Sequence, residues 1–141
     1  MGPTPTVWTM PSDAAGVSLA RRRVVGLLRS DGWADELIDQ AALMTTELAT
    51  NAVEHARTPY TLTVDLTDQK VRVDVRDAST SPPVVNATPS ATALCGRGLV
   101  LVAALADKWG YEPLAGGKSV WFEAARDQHA VPSPSGSSPG R

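Results

Sequence analysis

The spacing of apolar residues up to residue 55 predicts two consecutive helices. The first begins after Ser12 or Asp13, either of which can cap its N-terminus, and it ends at Gly32. The second extends from about Ala34 to His55. Its apolar stripe, with residues recurring every three or four positions, consists of Leu37, Ala41, Met44 and Leu48. Both helices therefore have one face suited to packing on a core.

From residue 61 onwards the apolar residues alternate with polar ones. One run covers residues 61–66, and the next, after a turn near Asp68, covers residues 71–76. This period of two is typical of strands with one covered and one solvated face. Further strands are predicted at residues 108–111 and 119–124, with a turn at 113–117 between them. A short helix is predicted to begin at Gly98.

These elements predict an α+β fold. We expect a two-layer sandwich in which helices cover one face of a mixed, mainly antiparallel sheet. Residues 1–11 are interpreted as an N-terminal tail with an edge strand around Val7 and Trp8. Residues 12–125 are long enough for one domain with its own core. Residues 126–141 are rich in Pro, Ser and Gly, and they are predicted to form a disordered tail.

Composition narrows the classes of partner. The net charge of -2 and the isoelectric point near 5.6 argue against a nucleic-acid interface that neutralises phosphates, so proteins or small ligands are expected. Cys95 is the only cysteine, which excludes an internal disulfide, and two histidines do not make a metal site. The sequence has neither a signal peptide nor a membrane span, so we expect a cytoplasmic location.

Glu47 and Asn51 are the candidate chemical residues of the second helix. Their i,i+4 spacing places them on one ridge beside the apolar stripe, so a carboxylate and a carboxamide point to the same place. Asn is a poor helix former because its side chain competes for backbone hydrogen bonds, and a mid-helix Asn therefore indicates a local role. On spacing alone, the simpler interpretation is a solvated helix face.

Asp77 is the second informative position. The alternation through Val73 and Val75 places it on the apolar face at the end of its strand, where a carboxylate needs hydrogen-bond donors. An amino group of a ligand would serve, and so would the backbone amides of Ser79 or Thr80 in a turn. From Asp77 to Arg97 the periodicity disappears, and a loop of about twenty residues is more often functional than accidental.

Two glycine segments follow the loop. Gly96-Arg97-Gly98 precedes the short predicted helix, where glycines would let phosphates approach backbone amides at the positive end of the helix dipole. The dinucleotide fingerprint is excluded because its third glycine is missing. Gly117-Lys118-Ser119 looks like the end of a phosphate-binding loop, but Glu112 replaces the required glycine and a strand follows instead of a helix.

In chain order, these segments resemble the ATP-binding boxes of the superfamily that contains gyrase, Hsp90, histidine kinases and MutL. The most specific is the first box, Glu-Leu-x-x-Asn-Ala-x-Glu-His, at residues 47–55. The others are Asp77 with the loop after it, Gly96–Leu99, and Gly116–Trp121. Over roughly residues 12–125 the chain is most similar to the stand-alone ATP-binding domains of anti-sigma-factor serine/threonine kinases.

The resemblance implies ATP and Mg²⁺ as cofactors. Asn51 would be the protein ligand of Mg²⁺, and Glu47 would be the catalytic general base for an attacking hydroxyl. Asp77 would accept the adenine amino group, with Ser79 near the adenine edge. Residues 78–97 would form a lid over the phosphates. The other expected nucleotide-binding residues are Gly96, Arg97, Gly98, Leu99 and Ser119.

The implied function is a protein kinase that regulates transcription by partner switching. It would hold a sigma factor in one state and phosphorylate an anti-anti-sigma antagonist in the other, as a homodimer without direct contact to nucleic acid or membrane. The family sequence Asp-x-Gly-x-Gly reads Asp77-Ala78-Ser79-Thr80-Ser81 here, and Lys118 replaces the threonine after the last glycine. The alternative is a non-catalytic protein-binding module, either nucleotide-dependent or nucleotide-free. The catalytic half of a two-component sensor kinase is less favoured, because we expect no phospho-acceptor histidine helix upstream.

Overall fold

The computed structural model describes residues 4–79 and 93–126, and for residues 93–98 it describes the backbone alone. The predictions for the Pro-rich part of the long loop, at residues 80–92, and for the C-terminal tail beyond residue 126 lie outside the described residues. The elements in chain order are β1 (Thr6–Met10), α1 (Ala14–Ser30), α2 (Asp35–His55), β2 (Tyr60–Leu66), β3 (Lys70–Asp77), α3 (Ala93–Leu105), β4 (Lys108–Leu114) and β5 (Gly117–Ala125).

Local signals at the ends of α1 match the prediction from the sequence. Asp13 is the N-cap, and its Oδ1 accepts a hydrogen bond from the amide of Gly16 at 2.8 Å. At the other end Gly32 has φ of +78°, and the amide of Trp33 donates to the carbonyl of Leu28 at 3.1 Å. A residue in the left-handed conformation, followed by a hydrogen bond back to the last helical turn, is a common helix C-terminus. It turns the chain directly into α2.

The five strands form one sheet in the order β1-β2-β3-β5-β4, and every neighbouring pair is antiparallel. The predicted α+β sandwich is confirmed, and β1, which contains Val7 and Trp8, lies at one edge of the sheet. The expected parallel component is wrong for the strands that the structure describes. β4 runs parallel to β3, but β5 turns back at Gly116, whose φ is +77°, and inserts between them.

The helices cover one face of this sheet, with α2 packed against α1, α3, β3 and β5. Alternate residues of the two central strands point into that layer. The buried apolar residues of β3 and β5 are Val71, Val73, Val75, Val120, Phe122 and Ala124. They form one core with the apolar stripe of α2. No helix in the described part of the chain is long and apolar enough to span a membrane.

Some predicted boundaries are corrected. α3 begins at Ala93 and not at Gly98, so Gly96, Arg97 and Gly98 lie inside the helix. The preceding Ala93 and Leu94 are strong helix formers, which extends the helix toward the N-terminus despite the glycines. β4 and β5 are also longer than predicted, and they reach the tight turn at Ala115 and Gly116.

Candidate functional site

Asn51 lies on the buried face of α2 and is only 4% exposed. Neither its Oδ1 nor its Nδ2 has a hydrogen-bond partner among the described residues. The other buried side-chain atoms in this condition are single hydroxyls, those of Ser12, Thr45 and Thr58. A carboxamide has two donors and two lone pairs, so it leaves the largest unmet hydrogen-bonding capacity. Buried polar groups normally have hydrogen-bond partners, so Asn51 is a candidate for contact with a bound ligand.

Glu47 lies one helical turn before Asn51, as the spacing predicted. Its side chain is partly buried and already takes part in an interaction. Thr46 beside it donates its hydroxyl to the carbonyl of Ala42 at 2.9 Å. Glu47 and Asn51 both lie within the uninterrupted helix α2. The carboxylate and the carboxamide thus start from a continuous helix, which is a rigid support for a site.

Asp77 ends β3 on the helix-covered face of the sheet and is 6% exposed. Its Oδ1 accepts a hydrogen bond from the amide of Ser79 at 2.8 Å, which is the turn interaction that the sequence allowed. A second donor was not predicted. Nζ of Lys118 lies 3.1 Å from Oδ1 and 3.0 Å from Oδ2 of Asp77. The side chains of Lys118 and Asp77 are 3% and 2% exposed, so this is a buried ion pair.

Strand register accounts for the ion pair. Asp77 and Lys118 are directly opposite each other across β3 and β5, and both side chains point toward the helices. Gly117 permits the close approach, because a Cβ there would lie 2.1 Å from the carbonyl oxygen of Asp77. The last glycine segment therefore places a lysine over the carboxylate that was expected to contact adenine.

Ser119 is on the opposite face of the sheet. It is one residue beyond Lys118, and the alternation of a strand turns its side chain away from the helices. Its hydroxyl donates to Oδ1 of Asp74 at 2.6 Å. The predicted role of Ser119 in positioning adenine is therefore wrong, since it and Asp77 do not share a face.

The third predicted group of site residues belongs to α3. Gly96, Arg97 and Gly98 have their backbone within the first two turns of this helix. Leu99 is completely buried in the core, so its side chain is a packing residue and not a surface for a ligand. α3 packs against α2, the helix of Glu47 and Asn51. The structure thus brings this group to the same layer as Asn51, and contact of its amides with phosphates stays a prediction.

A sequence profile of the histidine kinase-like ATPase domain matches residues 10–123. The chain belongs to this family. The crystal structure of the RsbU and RsbW domains of Rv1364c from Mycobacterium tuberculosis has a similar fold, with a TM-score of 0.67 and 20% sequence identity. The match covers 86% of this chain and 32% of that chain, so our chain spans about a third of the length of this relative. A comparison with curated protein sequences finds no match.

Membership of the histidine kinase-like ATPase family implies a nucleotide site, and the two ends of the candidate site fit a nucleotide differently. At the α2 end, the carbonyl oxygen of Asn51 has no partner among the described residues, and an oxygen of this kind suits Mg²⁺. In the described residues no group of three or more His, Cys, Asp or Glu side chains could hold a metal ion. At the β3 end, Asp77 fits an amino group by its chemistry, but Lys118 already occupies it.

Lys118 is the site residue whose role the sequence reasoning missed. The signal was present, because the apolar alternation of Val120 and Phe122 continues back to position 118 and that of Val73 and Val75 continues to Asp77. Two opposite charges at the ends of two apolar strand faces must find partners. Their pairing required the knowledge that β5, and not β4, lies next to β3.

Proposed function

We propose that this domain binds ATP with Mg²⁺ and works as a partner-switching protein kinase of the anti-sigma-factor type. The observation that carries the proposal is Asn51, a buried carboxamide that has no hydrogen-bond partner among the described residues and lies at the centre of the first ATP-binding box. An unsatisfied buried amide costs about 1–3 kcal/mol of stability. A ligand that supplies the missing contact would explain why the chain retains it.

The assigned roles follow from the chemistry of each group. Asn51 would hold the metal through its carbonyl oxygen, and Glu47 would take the proton from the attacking hydroxyl of a serine or threonine. Arg97 would add positive charge near the phosphates. When bound, ATP supplies the phosphoryl group. The residues of the chain position it and accept the proton, which is the usual division of work in phosphoryl transfer.

The proposed partners are proteins. In one state the domain would sequester a sigma factor, and in the other it would phosphorylate an anti-anti-sigma antagonist, acting as a homodimer in the cytoplasm. The similarity of fold to the RsbU and RsbW domains of Rv1364c supports this class of partner. The net charge of -2 also favours protein contacts over phosphate neutralisation.

Labelled ATP tests the kinase assignment. The wild type with Mg²⁺ and a candidate antagonist should give phosphoserine or phosphothreonine. Glu47→Gln should bind MgATP normally and transfer about 100-fold less phosphate, because general-base catalysis contributes 10²–10⁴-fold. Asn51→Leu should lose both binding and transfer. Transfer that persists in Glu47→Gln would contradict the role of Glu47.

A second candidate function is a nucleotide-free binding module. The buried pair of Asp77 and Lys118 favours it, because the expected adenine contact is already satisfied by the chain itself. A protein of this kind would show no heat of binding with millimolar MgATP. It would also bind its partner equally well with and without nucleotide.

A further inference from the structure

We infer that Lys118 is a built-in competitor for the base of the nucleotide, and that opening of the Asp77–Lys118 pair sets how tightly this domain binds ATP. The inference rests on the proposed nucleotide-binding function and concerns the base end of the same site. A carboxylate such as that of Asp77 has about four acceptor positions. Three bonds are already made, two from Nζ of Lys118 and one from the amide of Ser79.

The competition is unequal. Nζ of Lys118 is an ammonium group and forms charge-assisted bonds, which are roughly twice as strong as bonds between neutral groups. The amino group of adenine is neutral. It would find at most one unused position on Oδ2 of Asp77, beside a positive charge that already neutralises the carboxylate. The base therefore gains its expected contact only when Lys118 gives up part of its own.

The backbone positions of the two strands hold Asp77 and Lys118 close together. Asp77 and Lys118 are paired directly across β3 and β5. The backbone of Gly117 lies so close to Asp77 that a Cβ at this position would be 2.1 Å from the carbonyl oxygen of Asp77. Both side chains are nearly inaccessible to water, so salt does not screen the attraction as it does on the surface. The closed arrangement is therefore the resting state of this end of the site, and nucleotide binding is coupled to leaving it.

Substitution of Lys118 tests the inference by calorimetry with MgATP. Lys118→Thr removes the competitor and should bind MgATP about tenfold more tightly than the wild type, since one charge-assisted bond exceeds the free energy of a tenfold change. Lys118→Gln keeps a neutral donor for Asp77 and supports folding, and it should show a smaller gain. The double variant Asp77→Asn with Lys118→Thr should lose the gain, because the freed carboxylate is gone.

Two control variants separate this role from general effects of charge. Lys118→Arg keeps a buried ion pair and should bind MgATP as weakly as the wild type. Lys70→Thr breaks an ion pair with Glu123 on the other face of the same sheet, where Nζ lies 3.1 Å from Oε1. It should leave the affinity unchanged. A gain of the same size in Lys70→Thr would overturn the inference.

The ammonium group of Lys118 provides a readout in the unaltered protein. In the free protein its ¹⁵N signal should be visible, because burial slows exchange with water, and it should shift or broaden as MgATP is added. If Lys118→Thr and Lys118→Gln bind MgATP no better than the wild type, the competitor role is overturned while nucleotide binding stands. If neither the wild type nor any Lys118 variant binds, the inference and the proposed function are both overturned.

Discussion

The two ends of the candidate site differ in how their buried polar groups are satisfied. At the α2 end, the carboxamide of Asn51 has no hydrogen-bond partner among the described residues. At the β3 end, the carboxylate of Asp77 has three hydrogen bonds from Lys118 and Ser79. Both groups are more than nine-tenths buried. One end therefore holds a buried polar group that the described residues leave unsatisfied, and the other is closed by an ion pair within the chain.

The difference predicts opposite effects of substitutions at the two ends on the free energy of unfolding. Removal of one partner from a satisfied buried pair leaves an uncompensated charge and destabilises the fold. Removal of an unsatisfied group takes away a cost and should stabilise it. The same site is thus expected to contain residues whose loss has opposite effects on the free energy of unfolding.

The largest effect is expected for Lys118→Met. It leaves Asp77 as a buried carboxylate without its ammonium partner, and we expect a loss of about 3–5 kcal/mol in the free energy of unfolding. Urea unfolding measures it. The double variant Asp77→Asn with Lys118→Met has no buried charge and should recover most of the loss. A small loss in the single variant would show that the pair is not buried in solution, and the comparison of the two ends would fail.

Asn51→Leu should have the opposite sign. The side chains are similar in size, and the variant removes an unsatisfied amide, so we expect the free energy of unfolding to rise by about 1–2 kcal/mol. MgATP binding should be lost in the same variant. A residue with only a structural role would not show a gain in stability together with a loss of binding. Urea unfolding and calorimetry on one preparation check both. Destabilisation by this variant would indicate that Asn51 has a partner within the fold.

Tyr60 is a neutral buried residue with a hydrogen-bond partner, and it serves as a reference for the size of these changes in the free energy of unfolding. Its buried hydroxyl donates to the carbonyl of Gly16 at 3.0 Å. Tyr60→Phe should cost about 1 kcal/mol, the usual net value of one hydrogen bond. If Tyr60→Phe lowered the free energy of unfolding as much as Lys118→Met, the loss in Lys118→Met could not be attributed to a buried charge.

The same hydroxyl predicts an alkaline limit to stability. Burial, with the nearby charge of Asp13, raises the pKa of Tyr60 from 10.0 to about 12. The pKa in the folded protein lies above that of the unfolded chain, so the contribution of Tyr60 is complete below pH 10 and is lost as the pH rises toward 12. Tyr60→Phe should lack this loss in a series of urea unfolding curves across that range.

The smallest effect is expected on the outer face of the sheet, at Glu123. Burial raises the pKa of Glu123, but the hydrogen bond and charge of Lys70 and the charges of Arg72 and Lys108 hold it below its ordinary value of 4.5. Its contribution is therefore present above pH 4.5 and is lost as the pH falls through the lowered pKa. Glu123→Gln should cost less than about 1 kcal/mol at pH 7, as for other ion pairs near the surface. The free energy of unfolding of Glu123→Gln should also fall less below pH 4.5 than that of the wild type.

The elements that the sequence predicted best are those with strong local signals. The N-cap at Asp13, the glycine end at Gly32 and the regular stripe of α2 are local, and the structure confirms them. The start of α3 was wrong because two glycines look like a loop, although a helix can include them. The antiparallel sheet also could not be predicted fully, because the insertion of β5 between β3 and β4 is a property of the whole fold.

The same division applies to the candidate site. Asn51 and Asp77 could be found from the sequence, since a mid-helix Asn and an acid on an apolar strand face are local anomalies. Ser119 was assigned to the site from its hydroxyl, but the alternation of β5 places it beside Asp74 on the other face. The sequence showed Lys118 as a departure from the family pattern and as part of a rejected phosphate-binding loop. Its partner became evident with the register of β3 and β5.

The most direct test of the account is a titration of the ¹⁵N-labelled protein with MgATP, followed at the side-chain amide of Asn51. Asn51→Leu identifies its signals, and ATP with a chelator provides the metal-free control. These signals should shift and saturate with MgATP, and they should shift less without the metal. If they stay unchanged up to millimolar MgATP, α2 does not contribute a nucleotide site, and the account is contradicted.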